Sequence, residues 1–169
     1  MLMSAAQWNE KLRQEYEAMC AFPINGLFSW KVERGQRPPR VMAYRVTYKV
    51  RTLVKDGNVL RPQRWTEVLI TIPDSPGATP TASIVGGGIP FHPNIYTSGT
   101  FCLGDMWVKE PHLWKLVINI GKVLAFDPIH TNPKSAANGA AATDWIKKQS
   151  GTHKYYPCGN INFPHPKGY

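Results

Sequence analysis

The segment Pro90-Phe91-His92-Pro93-Asn94-Ile95-Tyr96-Thr97-Ser98-Gly99-Thr100-Phe101-Cys102-Leu103 places a His-Pro-Asn tripeptide eight residues ahead of a cysteine. Between the two lies a polar loop containing a glycine, flanked by apolar residues. A cysteine carried by such a loop is presented to solvent rather than packed, which makes Cys102 a candidate nucleophile. Asn94 supplies a side-chain amide, and Pro93 fixes the backbone between it and His92. No Lys, Arg or His lies within five residues of Cys102. A hydrolase that relies on a neighbouring base to form its thiolate therefore fits poorly.

Upstream of this segment the chain reads as one helix followed by strands. Ser4 and Gln7 fit a capping box, and Trp8, Leu12, Tyr16 and Met19 recur at helical spacing until Phe22-Pro23 and Asn25-Gly26. Leu27–Val32 is a first short strand. Val41–Val54 is the best strand candidate, because Tyr44, Val46, Tyr48 and Val50 alternate with Arg45, Thr47, Lys49 and Arg51. Asp56-Gly57-Asn58 supplies turn chemistry. Trp65–Ile72 and Ala82–Val85 are the third and fourth strands, separated by a stiff loop with prolines at 73, 76 and 80. Short connections predict an antiparallel meander.

Downstream, Leu113–Phe126 is an almost uncharged core helix. A third helix is predicted to open at Asn132-Pro133 and to stop near Gly151. The last residues, rich in Gly, Pro, Tyr and Asn, read as an extended tail that either lies on the domain or is partly disordered.

Composition bounds the class. The chain has 169 residues, enough for one domain with a core. Its 6 Trp, 7 Tyr and 6 Phe exclude a disordered tail protein. No apolar run approaches the ~20 residues that span a bilayer, and no secretory signal is visible at the N-terminus, so the expected location is the cytoplasm. Three cysteines without C-x-x-C spacing give neither a disulfide framework nor a zinc site. Cys20 is expected to pack beside Met19. Cys158, near His153 and His165, stays ambiguous, but no metal and no cofactor are expected. Net charge is +9, and between Lys31 and Arg64 ten Lys/Arg stand against Glu33 and Asp56. An acidic protein or nucleic acid would both suit that excess.

The tripeptide, the loop, Cys-Leu at this distance and the order of elements together resemble the ubiquitin-conjugating (E2) enzymes, across Gln7 to Lys148. The resemblance implies an α+β, UBC-like fold: an N-terminal helix, a four-stranded antiparallel meander, an active-site loop, a core helix and a C-terminal helix. It implies a catalytic domain over 1–151 and an extended tail over 152–169. It also implies that Cys102 accepts a ubiquitin-like protein as a thioester from an E1-like adenylating enzyme and passes it to an amine, lysine by analogy, of a target protein. Thioester exchange is nearly balanced, so the sulfur needs nucleophilicity and access more than a depressed pKa. Asn94 takes the family's oxyanion or loop-bracing role, and His92 a mainly structural one.

Departures from the family pattern raise further candidates. Cys102 is followed by Leu103-Gly104-Asp105, where many E2s carry an acid directly after the leucine. Asp127-Pro128-Ile129-His130-Thr131-Asn132-Pro133-Lys134-Ser135 resembles the family's Asp-Pro-Asn-Pro stretch with an insertion, and Ser135 falls where an acid often assists the incoming lysine. Asp105, Asp127, Asp144 and His130 are the alternatives for that task. The reduced C-terminal part resembles bacterial E2-like proteins, including those of antiphage defence, that work alongside a JAB-type peptidase. Partner contacts are expected at Lys11 and Arg13 on the first helix and at Arg45, Lys49 and Arg51 on the strand. Two other readings stay open: a non-catalytic E2 variant that only binds ubiquitin-like proteins, and a basic nucleic-acid-binding domain.

Overall fold

The first helix, α1 (Ala5–Cys20), opens on a closed capping box. Gln7 N–H donates to Ser4 Oγ at 3.2 Å and Ser4 N–H donates to Gln7 Oε1 at 2.8 Å. Its buried stripe is Trp8, Leu12, Glu15, Ala18 and Met19. Cys20 is exposed rather than packed, because it falls one residue beyond that stripe and turns to solvent. The computed structural model describes residues 3–109, 111–135, 137–149 and 156–169.

Strands β1 (Phe28–Val32), β2 (Ala43–Tyr48), β5 (Thr66–Thr71) and β6 (Thr81–Gly86) form an antiparallel sheet in the order β1-β2-β5-β6. Tyr44, Val46 and Tyr48 point inward and are fully buried, as their alternation requires. The long strand expected over 41–54 is instead two strands. The sheet ladder ends at the Tyr48↔Thr66 pair, and after a bend the chain continues as β3 (Thr52–Asp56). This strand pairs with β4 (Val59–Gln63) across Gly57, whose φ of +60° suits the tight turn. The hairpin is an insertion in the meander, and it leans on the site: Phe91 N–H donates to Leu53 O at 2.8 Å.

A single turn, α2 (Met106–Lys109), precedes the core helix α3 (Leu113–Leu124), which packs its apolar residues on the sheet. Tyr48 Oη donates to the Val117 carbonyl at 2.6 Å and ties sheet to helix. At the start of α3, His112 offers no side-chain cap. Glu15 of α1 does that work: its Oε2 accepts the Leu113 N–H at 2.8 Å, while Oε1 meets Lys11 Nζ at 2.8 Å. Just past α3, Phe126 takes the left-handed conformation (φ +56°) that usually falls to glycine. Its ring is fully buried between His92, Trp145 and Tyr156, and this packing offsets the strain.

The last helix, α4 (Gly139–Gln149), begins six residues later than the predicted start at Pro133. Asn138, not Asn132, caps it, accepting the Ala141 N–H at 3.1 Å. The expected boundary between residues 151 and 152, like His153, lies outside the described residues. Residues 156–169 have no regular structure, yet they pack along α3 from its end toward its start. Gly159 N–H donates to Ala125 O at 3.1 Å, Phe163 covers Gly121, and Lys167 N–H donates to Ala21 O at 2.9 Å.

Candidate active site

Two loops, the α2 turn and Asn119 of α3 line a groove of about 790 Å³. The Cys102 loop is fixed by backbone bonds on both sides. Tyr96 N–H donates to Thr100 O at 2.9 Å, with Gly99 (φ +92°) closing the turn. Phe101 N–H donates to Ala82 O at 2.9 Å, which seats the loop on the edge of β6. Cys102 N–H then donates to the Asn94 carbonyl at 2.8 Å. The thiol is half-buried and lines the groove.

Asn94 is buried, lines the same groove, and faces the backbone N–H of Asn132, which donates to its Oδ1 at 2.8 Å. Only the oxygen of a side-chain amide can accept that proton, so the amide orientation is set and its NH₂ points away from Asn132. One side chain thus braces the loop after α3 and keeps a donor for other use. His92 is fully buried and does not line the groove. Its Nδ1 accepts the Asn94 N–H at 2.9 Å, so the proton sits on Nε2, which faces the Thr131 hydroxyl at 3.4 Å. Desolvation pushes the imidazole's pKa down to about 3, against the smaller opposing effect of the Val123 carbonyl. His92 is therefore a neutral bracket under Asn94.

Of the accessory candidates, Asp105, His130 and Ser135 line the groove with Cys102, and Asp127 does not. Asp105 is bound by Lys109 at 2.5 Å, and that hydrogen bond holds its carboxyl below the usual range. Asp127 is buried; its Oδ1 accepts the Ile129 N–H at 2.9 Å and so caps the short turn Pro128–His130. Asp144 lies on α4 and accepts the Tyr156 hydroxyl proton. Asn119, Tyr96 and Lys109 also line the groove and were not among the sequence candidates. Asn119 had one available signal, a lone amide between Ile118 and Ile120 in an otherwise apolar helix.

The candidate partner residues sit outside the groove. Arg13 is held by Glu10 and Glu17 along α1, and Lys11 by Glu15 and the Pro111 carbonyl. Arg45 is clamped between Glu33 and Glu67, 2.6 Å from each. Lys49 and Arg51 are exposed at the bend after β2. Cys158 (φ +44°) packs against the cluster of Leu53, Phe126, Trp145 and Tyr156, and burial pushes its thiol pKa up. Among the described residues no cluster of His, Cys, Asp and Glu is placed to hold a metal, and no helix is long and apolar enough to cross a membrane.

An N-terminal helix, a four-stranded antiparallel sheet and a core helix behind it make up the fold of a ubiquitin-conjugating (E2) domain. Among solved structures, the E2 domain of a Toxoplasma gondii ubiquitin conjugating enzyme matches with a TM-score of 0.55 at 19% identity, over 83% of this chain and 88% of that one. The likeness is one of fold. No protein-family model and no curated protein matches the chain.

Proposed function

We propose that the protein is an E2-like conjugating enzyme. It takes the C-terminal carboxyl of a ubiquitin-like protein from an E1-like adenylating enzyme as a thioester on Cys102, and transfers it to an amine of a target. One observation carries this reading: an accessible thiol and an oriented carboxamide, Cys102 and Asn94, share one groove and are joined through the backbone at 2.8 Å. Aminolysis of a thioester passes through an oxyanion, and a fixed amide donor for it contributes about 3 kcal/mol. Retention of both groups favours an active enzyme over a binding-only variant. The clamping of Arg13 and Arg45 by carboxylates weakens the nucleic-acid reading, since a paired guanidinium is a poorer phosphate ligand. The bacterial, JAB-linked setting rests on the reduced C-terminal part and belongs to this proposal.

Incubation with an E1-like enzyme, ATP and its ubiquitin-like protein should give an adduct that reducing agent cleaves. Cys102→Ser should convert it to a reductant-resistant ester or abolish it, and Cys102→Ala should abolish it. A reductant-sensitive adduct on Cys102→Ala would sink the proposal.

A further inference from the structure

Resting on the reading of Cys102 as the acyl-carrying thiol, we propose that His130 is the general base of the transfer step and that Asp127 positions it. The groove lacks an acidic residue at Ser135, and Asp105 is spent on Lys109. Ser135 offers a hydroxyl, which is no base near neutral pH. His92 does not line the groove, and its two nitrogens are taken up by the Asn94 N–H and the Thr131 hydroxyl. Among the described residues that line the groove, His130 is the remaining one of a type that exchanges a proton in this range.

Its setting is built rather than incidental. Asp127 opens the short turn Pro128–His130 with its carboxyl fixed by the Ile129 N–H, while its carbonyl accepts the His130 N–H at 2.9 Å and the Thr131 hydroxyl at 2.9 Å. The turn so formed places His130 Nδ1 3.5 Å from Asp127 Oδ1. This nitrogen is buried and has no hydrogen-bond partner among the described residues, whereas the side chain as a whole keeps 19% of its surface and lines the groove. A carboxylate only accepts, so the proton belongs on Nδ1. A small closing of the gap completes that bond, as catalytic contacts often tighten only with substrate present. The lone pair then lies on Nε2.

The step balances. The acceptor nitrogen adds to the thioester carbonyl carbon, a C–N bond forms, and the proton it sheds passes to His130 Nε2. The intermediate collapses with cleavage of the C–S bond, and Cys102 leaves as thiolate. The imidazolium returns the proton to that sulfur, leaving an amide and a free thiol.

The test separates this step from loading. Full-length protein carrying Cys20→Ser and Cys158→Ser is acylated on Cys102 with a peptide ending in Gly-Gly as its 2-mercaptoethanesulfonate thioester. Discharge to glycinamide at neutral pH is then followed by mass spectrometry. His130→Gln should still load but discharge about a hundredfold more slowly, and added imidazole should restore part of the rate. Asp127→Asn keeps the oxygen that holds Ile129 and removes its charge, so discharge should fall by a smaller factor. Discharge of His130→Gln at the parent rate would overturn the assignment, and so would a deficit that imidazole does not relieve. Failure of Cys102 to take up the acyl group at all would instead overturn the reading of the thiol.

Discussion

A single side chain, His92, shows how the site is held without taking part in its chemistry. Its folded pKa of about 3 lies below the ~6.5 of an unfolded histidine, because burial penalises the charged ring. Between those two values the unfolded chain binds a proton that the folded chain refuses. The contribution is therefore fully present above about pH 6.5 and drains away as pH falls, by up to ~1.4 kcal/mol per pH unit. Urea unfolding at pH 7 and pH 5 should show this loss. His92→Gln, whose amide oxygen can still accept the Asn94 N–H, should start lower and lose less on acidification. Equal pH dependence in the two proteins would contradict the account. The tripeptide was legible in the sequence as a motif, but the tautomer was not, since it depends on the fold turning the Asn94 N–H onto Nδ1.

At the scale of elements, the most consequential joint is between α1 and α3. Glu15 is buried at 5% exposure and completes the first turn of a helix that brings no cap of its own. Glu15→Ala should destabilise the protein by about 2–3 kcal/mol, because it strands a buried N–H and removes the partner of Lys11. Thermal unfolding checks this, and a change within about 0.5 kcal/mol would show that water replaces the carboxylate. The helical period of α1 was readable, but Glu15 looks like any surface glutamate until α3 lies against it. The split of the expected 41–54 strand has the same origin. Alternation persists through Val50, which is buried, yet the ladder stops where β5 begins, and that pairing is set by residues 66–71. The late start of α4 reflects two asparagines of equal capping chemistry, Asn132 and Asn138. Only the first is taken by the site, donating its N–H to Asn94.

Across the whole molecule, the tail and the charge are the features that local pattern could not place. Phe163 is buried, and its ring occupies the space over Gly121, where a Cβ would meet it at 2.5 Å and Tyr48 at 3.1 Å. Alanine in place of a mid-helix glycine gains about 1 kcal/mol, while loss of the Phe163 contact costs about 1.5–3 kcal/mol. Gly121→Ala should thus lower stability by about 1 kcal/mol and open residues 156–169 to proteases. A rise in Tm with an unchanged digestion pattern would show that the tail adapts. The +9 charge was countable, but its pairing was not: Glu67 reaches Arg45 from the neighbouring strand.

The borrowed cap at Leu113 also orders events in time. A helix whose leading amide waits on a carboxylate 98 positions earlier in the chain cannot close its first turn until that distant segment has arrived. Deuterium uptake at this one amide would then act as a clock for the docking of α1, slow while the two helices stay together and fast whenever they part.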